Sequence, residues 1–335
     1  MIVKMKKMSL FAMLSDREAL LHDLMLLGCV EVIPQSEKLL DPSLSEVLSK
    51  VNVPEQDFRN LHSKATAALG ILNKYAPGKS GLFTVRREVG AEELFSEDLI
   101  CRTREVVLQI EAHQSKITSL QAEASRLEAQ KLSLEPWKSN KMTLDSLDTE
   151  HVRIMFGTTM PSVTAEVLRE EVAKVAEEFE VFQVSSDRDQ NYIVVFFHKA
   201  IESAVMPVLR SCSFSRVVFG SLKGTAEENI EEISAKIASI EREISAETEK
   251  IKELARHRAD IELCIDSLAQ KLSKIEAAQR LLATESVFYL EGWVTAPEEK
   301  SVADLLQKYT CAFAFEDPKE EEYAEVPIKL KNNKL

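Results

Sequence analysis

Between residues 230 and 282 an apolar or small residue returns at alternating steps of three and four: Ile230, Ile233, Ile237, Ile240, Ile244, Ile251, Leu254, Ile261, Ile265, Leu268, Leu272, Ile275 and Leu282. Glu247 and Arg258 interrupt the stripe, and Ala278 is its thinnest position. Such spacing keeps one side of an α-helix apolar, and roughly seven heptads of it predict a coiled-coil strand rather than an ordinary globular helix. A second seam lies upstream at Val106, Ile110, Ile117, Leu120, Ala124, Leu127 and Leu134, with His113 and Lys131 as exceptions. A chain that leaves along one such helix and returns along another is expected to form an antiparallel hairpin.

The ends of the chain read differently. Met5 to Leu14 is strand-like, Ser15 and Asp16 can cap a helix whose face is outlined by Ala19, Leu20, Asp23, Leu24 and Leu27, Gly28 stops it, and Cys29 to Ile33 is a second strand. Matching pieces come last: Val287 to Thr295 is strand-like, Glu298 to Tyr309 helical after Pro297, and Cys311 to Phe315 a further strand. Together they give β-α-β-β-α-β, the ferredoxin-like arrangement, with everything else inserted between its second and third strands. The interval between the seams repeats this order. His151 to Thr158, Val181 to Ser185, Tyr192 to Phe197 and Phe214 to Phe219 are strand-like, Ser162 to Glu178 is helical, and Ala200 to Cys212 is a helix expected to begin or bend near Pro207.

The expected fold is therefore α+β, two ferredoxin-like lobes joined by a long antiparallel coiled-coil hairpin. Residues 1–34 and 286–326 form the proximal lobe, 55–75, 92–135 and 226–284 the helical arm, 136–225 the distal lobe, and 327–335 a link. The outgoing helix of about 44 residues would span ~65 Å and the return helix of about 59 residues ~88 Å. Phe58, Leu61, Ala65, Ala68, Leu72 and Tyr75 keep the same three-four spacing, so 55–75 is expected to lie beside the longer return helix. Pro42, Pro54, Pro77, Gly78, Gly81 and Gly90 mark the loops that reverse direction.

Composition narrows the function. A net charge of -13 speaks against a nucleic-acid binder, which needs clustered excess Lys and Arg. Cys29, Cys101, Cys212, Cys264 and Cys311 are dispersed and odd in number, which disfavours a disulfide framework or zinc site and favours a reducing compartment. The opening MIVKMKKMSLFAML is read as a β-strand because its apolar part is too short for a signal peptide. No run approaches the ~20 apolar residues that cross a bilayer.

No motif points to catalysis. Neither G-x-G-x-x-G nor a P-loop occurs, and Gly220 to Thr225 has the wrong spacing for phosphate and reads as a hinge. Adjacent carboxylates such as Glu170/Glu171 and Glu231/Glu232 do not converge on one substrate from a helix and read as solvated faces. Trp137 is expected at the corner between coil and distal lobe, and Trp293 in or at the rim of the proximal sheet. No catalytic, cofactor-binding or metal-binding residue is assigned.

Two features suggest sites of another kind. In the distal sheet, alternation is read as turning Ile154, Phe156, Phe182, Val184, Ile193, Val195, Phe197, Val217 and Phe219 toward the lobe's helices. The opposite face would carry Arg153, Met155, Gln183, Tyr192, Val194, Phe196, Arg216 and Val218, apolar enough either to bind a partner or to pack on the end of the coil. In the coil, setting Leu120 opposite Ile240 gives facing residues whose numbers add to about 360. That register places Ile117 by Ile244, Ile110 by Ile251, Val106 by Leu254 and Thr103 by Arg258, and brings His113 level with Glu247. The two polar residues either pair there or reach solvent independently, and Arg258 is expected to reach solvent.

The opening KMKKMSLFAMLSDREALLHDLMLLGCVEVI, the late strand YLEGWVT and the closing VPIKLKNNKL resemble the cytoplasmic N-terminal half of the V-type/A-type rotary ATPase membrane subunit, subunit I in prokaryotes and subunit a in eukaryotes. The resemblance covers essentially the whole chain. It implies a non-catalytic stator component held by peripheral-stalk E and G subunits, near the central-stalk or rotor-cap and membrane-ring subunits of the full complex, at the cytoplasmic face of the membrane. It also implies that the sequence is the first part of a longer subunit whose membrane domain carries the ion path. Two other classes fit the pattern less fully: the coiled-coil arm of an RNA-binding enzyme, which calls for a basic tip, and a small-molecule-sensing ferredoxin-like protein.

Overall fold

A computed structural model describes residues 3–35, 48–78, 88–145 and 148–329. Pro42 and Gly81 of the expected loops, and 330–335 of the expected link, lie outside the described residues. Along the chain, β1 (Met5–Met13) is followed by α1 (Arg17–Leu27), β2 (Val30–Val32), β3 (Ser49–Lys50), α2 (Gln56–Tyr75), α3 (Ala91–Leu94) and α4 (Glu97–Leu134). Next come β4 (Val152–Thr159), α5 (Ala165–Ala173), β5 (Phe179–Ser186), β6 (Asn191–His198), α6 (Glu202–Ser211) and β7 (Ser215–Val217). The chain continues through α7 (Ala226–Leu254), α8 (Arg258–Gln279), β8 (Leu282–Ala283), β9 (Val287–Thr295), α9 (Glu299–Leu306) and β10 (Cys311–Glu316). The protein is α+β, with antiparallel sheets and long helices, and it divides into two compact units: Met1–Ile110 with Leu254–Leu335, and Glu111–Glu253.

In the first unit the strands run β10-β1-β9, with β2 and β8 both on the far side of β9 and β3 beside β8. Every pairing is antiparallel. Met8, Leu10 and Ala12 of β1 stand opposite Gly292, Leu290 and Phe288 of β9, and the inward face of the sheet packs on Leu20, Leu21 and Leu24 of α1 and Val302 and Leu306 of α9. Gly28 ends α1 at φ +67°, a conformation that glycine adopts without steric cost. Gly292 lets β2 approach, since a Cβ there would lie 2.9 Å from the Glu31 carbonyl oxygen. Trp293 is buried in β9.

α2 packs on α8, and Leu61 shares a core with Leu99, Ile100, Cys264 and Leu268. Here the structure corrects the expected helices. The outgoing helix begins only at Glu97, after the short α3, and the return helix is interrupted by a 3-10 turn at Ala255–His257 and ends at Gln279. The interruption falls where the seam meets Arg256, His257 and Arg258. Arg258 does not run to solvent: its guanidinium donates to Asn73 Oδ1 at 2.5 Å and the Ala76 carbonyl at 2.6 Å, closing the C-terminal end of α2. Thr103 stands against the Cys264 thiol rather than Arg258, and Val107, not Val106, is the fully buried position on α4.

The second unit holds the sheet β5-β6-β4-β7, again wholly antiparallel. One face packs on Leu168 and Val172 of α5 and Val205 and Leu209 of α6. α5 starts later than expected and is capped by Thr164, whose hydroxyl accepts from Val167 N–H at 3.4 Å, not by Ser162. α6 runs through Pro207 without starting there, and β7 spans three residues only. In the coil, Ile230, Ile233, Ile237 and Ile240 of α7 join Leu127 and Leu134 of α4 in one core.

Candidate partner-binding surface

β6 organises the distal sheet because both β4 and β5 are registered on it. Directly opposite residues of an antiparallel pair share a face. Phe196 faces Ile154 on β4, Val194 faces Phe156 on β4 and Phe182 on β5, and Phe156 faces Val217 on β7, so these side chains lie together with Tyr192. Val195 faces Met155 and Val181, and Phe197 faces Arg153, on the side that packs against α5 and α6.

The eight residues expected to form one surface are therefore divided. Tyr192, Val194 and Phe196 lie on the face turned from the helices. Arg153, Met155, Gln183 and Arg216 lie on the other. Arg153 is held by Asp148 and by Glu202 at the start of α6, each at 2.8 Å, and the Gln183 side-chain carbonyl accepts from Ala165 N–H at 3.3 Å. Arg216 is opposite Gly157, and Val218 lies past the end of β7, 74% exposed. The error is one residue of phase in β4, β5 and β7, which flips a whole strand because the side-chain period is two.

Most of the face away from the helices is covered. Trp137, 1% exposed in a 3-10 turn at the end of α4, sets its ring edge-on within 5.4–5.6 Å of Phe156, Tyr192 and Phe219. Leu134, Ala226 and Ile230 extend the same core. This is packing on the coil end, the alternative the sequence left open. Tyr192 is buried and bonded, its hydroxyl donating to Asp187 Oδ2 and accepting from Gln190 Nε2, both at 2.8 Å. Burial pushes its phenol up, while backbone N–H groups of Asp189 and then Gln190, with the Tyr192 hydroxyl, hold the Asp187 carboxyl low.

Beyond the Trp137 cover the face remains open. Phe182 is 54% exposed and meets Phe196 edge-on at 5.7 Å, and Ile154, opposite Phe196, is half-buried. The candidate surface contracts to these three. Phe182 and Ile154 were misassigned by phase. The register irregularity at Gln183/Ser185 sets the phase of Phe182: counted straight from Ser186 opposite Asn191, Phe182 would face Val195 on the helix side, and the shift brings it opposite Val194 instead.

The seam pair lies in the same unit. His113 Nδ1 is 2.5 Å from Glu247 Oε2, while Lys116 Nζ and Lys250 Nζ approach Oε1 at 3.1 and 3.0 Å. The Glu247 side chain is 5% exposed and its lysines 51% and 53%, so a carboxylate sealed into the seam is neutralised by cations whose other hydrogens stay wet. The Lys250, Lys116 and His113 hydrogen bonds outweigh desolvation and bring the Glu247 pKa to about 2. Among the described residues no group of three or more His, Cys, Asp and Glu could hold a metal, and no helix is long and apolar enough to cross a membrane.

No family model matches the chain, and no curated protein does. Among solved structures there is one described as the crystal structure of the cytoplasmic N-terminal domain of subunit I, homolog of subunit a, of V-ATPase. The present chain is similar to it. The match covers 92% of this chain and 99% of that one at 15% identity, with a TM-score of 0.49.

Proposed function

We propose that the chain is a non-catalytic stator component of a V/A-type rotary ATPase, anchoring peripheral stalks of E and G subunits and coupling the catalytic head to the ion-translocating membrane sector. The sequence motifs at both ends support this, as does the strand order. Each sheet sets its fourth strand beside the first, the first beside the third and the third beside the second, with two helices on one face in the split β-α-β order, which favours two ferredoxin-like lobes. The lobes are assigned to 1–34 with 286–326 and to 136–225, and the helices to the coiled-coil arm. This part then sits at the cytoplasmic face of the membrane, and the full subunit is an integral membrane protein.

The observation that carries the docking role is the aromatic pair Phe182–Phe196, Phe182 exposed and Phe196 half-buried, on a sheet whose other face packs against α5 and α6. A rigid exposed aromatic beside a half-buried one is a common anchor for a helical partner. Titration of the chain with an E/G heterodimer tests it. Phe182→Ser is expected to weaken binding at least tenfold with helicity unchanged, and unchanged affinity would remove this surface from the proposal.

A further inference from the structure

The two sheets treat their edges differently. On the distal sheet, β5 has an irregular register at Gln183/Ser185, Arg169 Nη2 donates to the Val181 carbonyl at 2.6 Å and Ser139 Oγ to the Val184 carbonyl at 3.0 Å. Bulges and occupied carbonyls are how proteins blunt an edge. β7, at the other side of that sheet, is only three residues long.

β10 has none of these guards. It pairs with β1 over six uninterrupted positions, from Lys7 opposite Glu316 to Ala12 opposite Cys311, and is the outermost strand of its sheet. Its sequence CAFAFE contains no Pro, Lys or Gly. Among the described residues no side chain bonds to its main chain. Phe313 and Phe315 turn to the core while Ala312 and Ala314 are exposed, so the open side is low and leaves Phe11, 53% exposed and opposite Ala312, uncovered. A regular edge strand without a basic residue, its outer backbone groups unpaired among the described residues, is a template for another strand.

The charge around it selects the occupant. Glu316, Glu320 and Glu321 are exposed at the C-terminal end of the strand, outnumbering the exposed Lys319 there, while Asp317 is paired with Lys4 Nζ at 3.1 Å. A second copy would bring the same basic-free CAFAFE strand on a body of net charge -13 and gain nothing from them. An antiparallel guest places its N-terminal end there. We propose that β10 is a docking edge for an extended segment of a partner protein, added antiparallel, with small and apolar side chains alternating and a lysine or arginine at its N-terminal end. This is independent of the stalk-binding role of the distal sheet.

The probe is an acetylated peptide of about eight residues, one lysine followed by alternating valine and threonine, mixed with the 335-residue chain. Hydrogen exchange of the amides of 311–316 is expected to slow at least tenfold at saturation. Ala314→Lys and, separately, Glu316→Lys are each expected to weaken binding at least tenfold without altering circular dichroism. A peptide N-methylated at alternate residues, unable to donate to the edge, should not bind. Equal binding of the methylated peptide, no slowing at millimolar peptide, or affinity unmoved by both substitutions overturns the proposal. Sedimentation showing a dimer that Ala314→Lys dissolves would assign the edge to a second copy and overturn the partner chemistry.

Discussion

Glu247 and His113 meet across the seam between α7 and α4, 2.5 Å apart, at the one level of the coil in the second unit where neither helix offers an apolar side chain. The pair fixes which turn faces which. A slip of one heptad would set Glu247 opposite Val106 or Leu120 and separate its carboxylate from His113 and Lys116, leaving only Lys250 of its own helix, a penalty of a few kcal/mol. The same logic makes a single polar core residue a register device in other coiled coils.

Acid should loosen this unit through Glu247. Its folded pKa of about 2 lies below the ordinary 4.5, so the contribution is complete above pH 4.5 and is lost as pH falls toward 2. Glu247→Gln is expected to flatten that part of the acid melting profile and to lower stability at pH 7 by about 1–2 kcal/mol. A chemical-denaturation series from pH 7 to pH 2 on both proteins measures it.

Trp137 ties the end of α4 to the sheet through edge-on contacts with Phe156 and Tyr192, and to the segment after β7 through Phe219. Trp137→Ala is expected to cost about 3–5 kcal/mol, read as a lower urea midpoint, while Trp137→Phe should recover much of it.

Gly157, in the middle of β4, lies under the Phe214 ring. A Cβ there would fall 2.2 Å from the ring's Cζ, so the ring must move for any other residue. Gly157→Ala should destabilise by about 1–3 kcal/mol, and Phe214→Leu in the same chain should relieve part of the loss in a double-mutant cycle.

Arg258 carries a separate expectation. Its bonds to Asn73 and the Ala76 carbonyl stitch the C-terminal end of α2 to the start of α8. Arg258→Ala should lose about 1–2 kcal/mol and speed hydrogen exchange in the last turn of α2, with Arg258→Lys intermediate because an ammonium cannot reproduce the two-pronged geometry.

How much of this was legible depended on how unequal the two sides of each element are. The seam on α7 and the stripe Leu61, Ala65, Ala68 and Leu72 on α2 contrast apolar with charged positions, so helix faces could be read from spacing alone. Gly28 and the β-α-β pattern at both ends were equally plain. β4 was not: Ile154, Met155 and Phe156 are all apolar because one face packs on α5 and α6 and most of the other on Trp137 and the coil end, and alternation then has no phase. The two-residue strands β3 and β8 carry no pattern at all. Arg258 looked like a defect in the seam because its acceptors, on α2, are distant in sequence.

The stator role is tested most directly by hydrogen exchange across β5 and β6 with and without an E/G stalk heterodimer. Slowed exchange confined to the segment around Phe182 and Phe196, and absent in the Phe182→Ser/Phe196→Ser chain, is the expected result. Tight stalk binding that leaves both strands unchanged, or no binding by the intact chain, would contradict it.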